Sequence, residues 1–266
     1  MFSRSLVNRA VLGAKRVWYG AGGEPITYGP HTLRYVPGTR PVRLKYRDSK
    51  SVTVSNDVMQ IEYFLSQVSP GDFLLDVGAN VGQYSVLFAA LAGARGQTIA
   101  FEPNEGARSV LIRNLALNGF SGRVRVESVA LFESTGFHRF YSRGSHSMAS
   151  LERAGFGSDA QADDISENVV ETVTLDDYLG DNDLGGPRWI KLDTEGAEIS
   201  ILRGARNTLA GGATVLCELH PYAWSAFGTS FEDLLSIVRQ TGRTIRYLDP
   251  RNSITSGPCY GAVIIS

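Results

Sequence analysis

An α/β fold, with a mainly parallel seven-stranded sheet, an antiparallel last strand and helices on both faces, is what this sequence predicts from three observations. The first is Asp72-Phe-Leu-Leu-Asp-Val-Gly-Ala-Asn-Val-Gly82, an apolar strand that runs into a glycine turn and then an apolar helix over Val81 to Leu91. Leu74, Leu75 and Val77 leave neither face polar, as a strand covered by helices on both sides requires. The second is repetition of that unit further along the chain. The third is the ending: between Leu248 and Ala262 lie Asp249-Pro250 and Gly257-Pro258 and no helical pattern. A parallel crossover needs a dozen or more residues and usually a helix, so the last two strands should be antiparallel neighbours.

With 266 residues, 43% of them apolar, the chain can bury one sizeable core. Residues 1–54 read as a leading region and 55–266 as the main domain. In the leading region Phe2, Leu6, Ala10, Val11, Ala14, Val17 and Trp18 recur at helical spacing among Arg4, Arg9, Lys15 and Arg16, a basic amphipathic helix over 1–19. Three readings stay open for it: packing against its own domain or a neighbouring subunit, peripheral contact with an anionic membrane surface, and an organelle transit peptide, which would look similar. Residues 20–48 suggest a small hairpin that uses Thr32–Val36 and Val42–Tyr46. Residues 1–50 carry ten Lys/Arg against two Asp/Glu, so the front is basic and the body acidic. No run approaches the ~18 apolar residues of a membrane span. Cys217 and Cys259 form no CxxC pair, and a reducing, cytoplasmic setting is expected.

The main domain opens with a helix over Asn56–Val68, stopped by Ser69-Pro-Gly-Asp72 before the first core strand. Thr98–Phe101 is the second strand, Asn104–Asn118 a helix, and Val124–Leu131 the third strand. Residues 133–170 break the pattern, with a strand-like Gly136–Tyr141 and a polar run carrying His146, Ser147 and Ser150. A connection this long points to a substrate-side hairpin and loop. Val170–Val173 resumes a strand, Thr174 caps a short helix containing Tyr178, and Trp189–Asp193 is the fourth core strand. A single helix then presents Ile199, Leu202, Ala205 and Leu209, followed by the strand Thr214–His220, a helix over Phe231–Gln240, and strands Thr244–Leu248 and Ala262–Ile265.

The chemistry begins at the glycine turn. Gly78 and Gly82, with Asn80 between them, let a ligand approach the backbone where the next helix offers unpaired N–H groups. Glu102, at the end of the second strand, is placed to hydrogen-bond a ribose with two free hydroxyls. Asp76 discriminates between cofactors: a buried carboxylate beneath the turn repels a pyrophosphate but attracts the ammonium of an amino-acid cofactor. S-adenosylmethionine (SAM) is therefore favoured over NAD. The cofactor-binding set is Asp76, Gly78, Asn80, Gly82 and Glu102.

With these residues in hand the chain resembles the FkbM methyltransferases from about residue 55 onward. The resemblance rests on Leu75-Asp-Val-Gly-Ala-Asn-Val-Gly82, Phe101-Glu-Pro103, Thr174-Leu-Asp-Asp-Tyr178 and, above all, Ile190-Lys-Leu-Asp-Thr-Glu-Gly-Ala-Glu198 with Leu202-Arg-Gly-Ala205. It implies a Rossmann-like class I methyltransferase that moves a methyl group from SAM to a hydroxyl of a sugar, glycolipid or secondary metabolite.

Ligands in open α/β sheets sit beyond the carboxyl ends of the strands, so the catalytic candidates are Asp193, Glu195 and His220. His220 is the preferred base because imidazole titrates near neutral pH. Asp193, Glu195 and Glu198 are close enough to repel one another, and three ways to relieve them stay open: Lys191, the substrate, or a divalent metal held by those three. His138 and His146 read as surface residues. Nucleic acid is not the expected acceptor: Asp193-Thr-Glu-Gly stands where base methylation usually uses an aromatic beside Pro-Pro, and no basic stripe with interleaved aromatics follows. A non-catalytic SAM-binding or assembly protein and an NAD-linked oxidoreductase remain the alternative readings.

Overall fold

The computed structural model describes residues 15, 18–39, 41–44, 55–142, 149–152 and 165–266. Gly29 and Pro30 turn β1 (Glu24–Tyr28) back on β2 (His31–Tyr35), and the pair buries Tyr28 and Tyr35. The hairpin expected before the core is therefore built from a different first strand. Val42 is held irregularly instead: its carbonyl accepts from the Tyr28 hydroxyl at 2.6 Å and its N–H donates to Gln83 Oε1 at 3.0 Å. The amphipathic helix expected over 1–19 lies almost wholly outside the described residues, as do His146 and Ser147.

Ser55 caps α1 (Asn56–Gln67) through its hydroxyl. Then come β3 (Phe73–Val77), α2 (Gln83–Ala92), β4 (Gln97–Phe101) and α3 (Glu105–Leu117), the last capped by the Asn104 side chain. The expected third strand is two strands. β5 (Val124–Glu127) stays beside β4, whereas β6 (Ala130–Leu131) leaves the main sheet. It pairs with β9 (Ser166–Val173), which also holds β7 (Gly136–Ser142); β8 (Ala149–Ser150) pairs with β7. These four strands form a separate small sheet in the order β6-β9-β7-β8.

After α4 (Leu175–Asp181) and β10 (Trp189–Leu192), the single helix expected through Leu209 is broken into α5 (Glu198–Arg203) and α6 (Arg206–Ala210). The cause is local. Asp176 takes the Gly204 carbonyl on its N–H at 3.0 Å, and its carboxylate accepts from the N–H groups of Asn207 and Thr208, so a new helix starts there. β11 (Thr214–Leu219), α7 (Phe231–Gln240), β12 (Ile245–Tyr247) and β13 (Gly261–Ile265) complete the chain, and α7 begins with a Ser230–Asp233 capping box.

The seven-stranded sheet has the order β12-β13-β11-β10-β3-β4-β5. Strands β11, β10, β3, β4 and β5 are parallel, and β13 runs antiparallel to both its neighbours. That is the mainly parallel sheet with an antiparallel last strand that the sequence predicts. Side chains alternate across it. Leu75, Val77, Ile99, Ile190, Leu192, Val215 and Cys217 pack on the face covered by α5, α6 and α7. Leu74, Trp189, Leu216 and Ile264 pack against Phe64 of α1 and Phe88 of α2 on the other. At about 25 cal/mol per Å² of apolar area this two-sided burial is the main favourable term, and it fixes the strand ends from which the site is built. Among the described residues no helix is long and apolar enough to cross a membrane.

Candidate active site

A cavity of about 280 Å³ opens at the carboxyl edge of β3, β4 and β10. Its floor is Val77, Gly78 and Asn80 after β3 and Phe101, Glu102 and Pro103 after β4; its far wall is Asp193, Thr194 and Glu195 after β10. The small sheet roofs it with Leu131, Phe140, Ser150 and Leu151. Ser150 Oγ donates to the Glu195 carbonyl at 3.2 Å, which ties the roof to the wall.

Gly78 is required by contact. At φ +78° a Cβ there would lie 1.9 Å from the carbonyl oxygen of Asp193, so the glycine lets the β3 and β10 loops touch. Gly82, at φ +82°, is required by packing instead: its Cβ would meet Leu111 of α3 at 2.7 Å, and it does not line the cavity. Asn80 has φ +49° and donates its N–H to Glu102 Oε2 at 2.6 Å, while Asn104 N–H donates to Glu102 Oε1 at 2.8 Å. Two turns thus hold one carboxylate. Burial pushes the Glu102 carboxyl up to about 7 against those two donors.

Asp76, expected beneath the ligand, sits elsewhere. It is buried behind the turn, accepts from Ser85 Oγ at 2.5 Å and pairs in register with Lys191 of β10, away from the cavity lining. Burial raises its carboxyl to about 6, against the pull of Lys191 and Ser85. The Lys191 ammonium on the neighbouring strand thus lends it favourable charge without a direct hydrogen bond among the described residues. Lys191 is itself buried, and although burial works against its charge, Asp193, Glu218 and Asp76 hold its pKa up.

At the far wall the strand ends bring Asp193, Glu195 and His220 together, with one donor atom from each within 4.8 Å of the others. Lys191 Nζ donates to Asp193 Oδ2 at 2.9 Å, and Tyr222 OH donates to Glu195 Oε2 at 2.9 Å. Burial alone would raise the Asp193 carboxyl, but Lys191 and His220 hold it below its ordinary value; burial raises that of Glu195. Glu195 takes φ +54°, a left-handed backbone that turns its side chain back toward the strand ends.

Glu198, expected among the metal ligands, is instead fully buried behind His220. Its Oε1 accepts from Gly196 N–H at 2.8 Å and lies 2.9 Å from His220 Nδ1, and its Oε2 accepts from Trp224 Nε1 at 3.1 Å. This fixes the ring, with Nδ1 as the donor and Nε2 turned toward Asp193 and Glu195. Burial would lower the pKa of His220, but Glu198 and the charges of Asp193 and Glu195 carry it up to about 9. Three carboxylates around the ring thus favour its charged form and work against the titration near neutral pH that the sequence suggested. His138 is half-buried on β7, with Nδ1 3.0 Å from Thr172 Oγ1.

The sequence reading passed over Tyr222, Trp224, Phe140 and Leu151. Tyr222 stands two residues after His220 and could have been read with it. Phe140 and Leu151 reach the cavity only through the pairing of β7 with β8, which no local pattern reveals.

The model of the methyltransferase FkbM domain matches residues 76–245. The chain belongs to the FkbM methyltransferase family. The hexuronic acid methyltransferase AglP of Haloferax volcanii is 23% identical over 172 residues, which span 60% of this chain and 61% of that protein. Among solved structures, the precorrin-6y C5,15-methyltransferase of Geobacter metallireducens superposes with a TM-score of 0.44 at 11% identity, covering 83% of this chain and 92% of that one. A SAM-dependent O-methyltransferase of Thermotoga maritima superposes at 0.42 and 13% identity, covering 82% of this chain and 66% of that one.

Proposed function

We propose that this FkbM-family protein is a SAM-dependent O-methyltransferase acting on a hydroxyl of a sugar, glycolipid or secondary-metabolite acceptor. The observation that carries the reading is the single cavity that joins Gly78, Asn80 and Glu102 at one end to Asp193 and Glu195 at the other. The residues fit the cofactor: Glu102 offers a held acceptor to a ribose diol, and Gly78 leaves the turn bare of a side chain. Thr194 Oγ1, on the cavity wall, has no hydrogen-bond partner among the described residues and suits a polar ligand.

When bound, SAM supplies an electrophilic methyl: the acceptor oxygen's lone pair forms the O–C bond, the S–C pair returns to sulfur and the hydroxyl proton leaves. This chain's part is to align the hydroxyl and take that proton. Asp193 and Glu195 face the cavity and are the proton acceptors; Lys191 and Tyr222 hold them in place. The small sheet shields the reacting atoms from water. AglP, named for hexuronic acid methylation, supports a sugar acceptor. Free Cys217 and Cys259 suit a cytoplasmic setting.

The test is calorimetric titration with SAM, S-adenosylhomocysteine and NADH, followed by transfer of labelled methyl to sugar and hexuronic acid acceptors. Saturable SAM binding without NADH binding is expected, with label that survives mild alkali, as a methyl ether does. Label released by alkali would mean a carboxylate acceptor and overturn the hydroxyl reading. NADH binding stronger than SAM binding would overturn the cofactor.

A further inference from the structure

Two separate observations meet at His220. The first is an unused donor atom. The residue is only 3% exposed, Nδ1 is taken by Glu198, and Nε2 makes no hydrogen bond among the described residues; the carboxylate oxygens beside it are Glu195 Oε2 at 3.6 Å and Asp193 Oδ1 at 3.8 Å. Those separations are too long for hydrogen bonds and close to the roughly 3 to 3.5 Å between adjacent ligand atoms of one ion bound at about 2.1 Å. The second is the carboxylate behind the ring. An imidazole whose far nitrogen is held by a buried carboxylate is the usual support of a metal-bound histidine, because the carboxylate fixes the tautomer and raises ligand basicity.

We propose that Asp193, Glu195 and His220 bind one divalent cation at the acceptor end of the cavity, with Glu198 positioning the histidine. The ligand set differs from the three carboxylates that sequence spacing suggests, since Glu198 gives up its place to the ring it holds. Carboxylates at 193, 195 and 198 face only the ammonium of Lys191, which Asp76 and Glu218 share, so the cluster keeps an excess of negative charge for an ion that displaces the Nε2 proton to balance. A mixed imidazole and carboxylate set suits Mn²⁺ better than Mg²⁺, which prefers oxygen alone. Asp193 and Glu195 line the cavity, so the open coordination positions fall on that side, where hydroxyls of an acceptor can enter. An oxygen held there loses its proton more readily, and two neighbouring hydroxyls of a sugar could be held at once. The role in catalysis rests on the methyltransferase reading; the ion site itself does not.

The experiment is Mn²⁺ titration of the full chain, with the free ion followed by its paramagnetic resonance signal and without SAM. One saturable site per chain is expected. Glu195→Gln should weaken it at least tenfold and Asp193→Asn as much or more, while Glu171→Gln, on the exposed face of β9, should leave it unchanged. Glu195 is partly exposed, so its variant keeps the test open if Asp193→Asn fails to fold. No binding at millimolar Mn²⁺, or equal affinity in Glu195→Gln, would overturn the site. SAM binding without Mn²⁺ binding removes the ion and spares the proposed function; Mn²⁺ binding without SAM binding does the reverse.

Discussion

The two ends of the cavity are made differently. At the Glu102 end the backbone does the holding: two adjacent strand-to-helix turns each give an N–H to one carboxylate, and the groups involved lie within Gly78–Asn104. At the Asp193 end side chains hold side chains. Lys191, Asp193, Glu195, Glu198, His220, Tyr222 and Trp224 come from the ends of two strands and the loops beyond them, and each fixes another. Backbone turns tolerate change in what surrounds them, whereas a mutual side-chain network fails when one member is lost. Binding should therefore be robust and turnover fragile.

The largest effect should follow Asp193→Asn, which leaves Lys191 facing a neutral amide and removes a proton acceptor. We expect turnover at saturating SAM to fall by about 10²- to 10⁴-fold, with the SAM dissociation constant within about threefold of wild type. A single-turnover assay beside calorimetry checks this, and equal losses in both would erase the contrast between the ends. Gly78→Ala strikes a place where the ends touch. The added Cβ on the Asp193 carbonyl, at a left-handed backbone, should cost about 3 kcal/mol in urea unfolding and impair binding and turnover together.

The pH dependence of stability involves both ends: the raised His220 contributes fully below about pH 6.5 and loses that contribution as pH rises through about 9. The Glu102 and Asp76 carboxyls are raised in the folded protein, to about 7 and about 6, so their contribution is full below the ordinary carboxylate range and is lost as pH rises through those values. Urea midpoints of the ligand-free protein should fall between pH 4.5 and 7.5, by several kcal/mol in stability at about 1.4 kcal/mol per pKa unit. Glu102→Gln should flatten the upper part of that fall; an unchanged profile would take Glu102 out of the linkage. The same variant should weaken SAM by about tenfold, through loss of a charged acceptor, and leave turnover at saturation nearly intact. A turnover loss larger than the binding loss would show that Glu102 serves the chemistry as well.

The contrast also explains what was legible in the sequence. Strand positions, the antiparallel ending and the turn at Gly78–Asn80 depend on local periodicity and punctuation, so residues 72–102 and 244–265 read directly. Asp193, Glu195 and His220 were readable as strand-end groups. Their partners were not, because Glu198 faces the ring rather than the cavity only once α5 is docked beside β11, and a separation of 22 residues carries no signal of that contact. The surroundings of Asp76 were hidden for the same reason, since Lys191, its partner in register, lies on a strand more than a hundred residues away. The roof was hidden in the division of 124–131 between two sheets. Residue type there looks continuous, and only pairing with β9 reveals the break.

The placement of β13 between β11 and β12 has a consequence for synthesis. Until residues 261–265 have emerged from the ribosome, β11 has an open edge along Val215–Leu219, and the strand that leads to His220 lacks the partner that holds it flat. The nascent chain can form the Glu102 end early, since β3, β4 and β5 are already adjacent. The histidine end must wait for the closing strand, so ligand-binding competence on stalled ribosomes should precede catalytic competence.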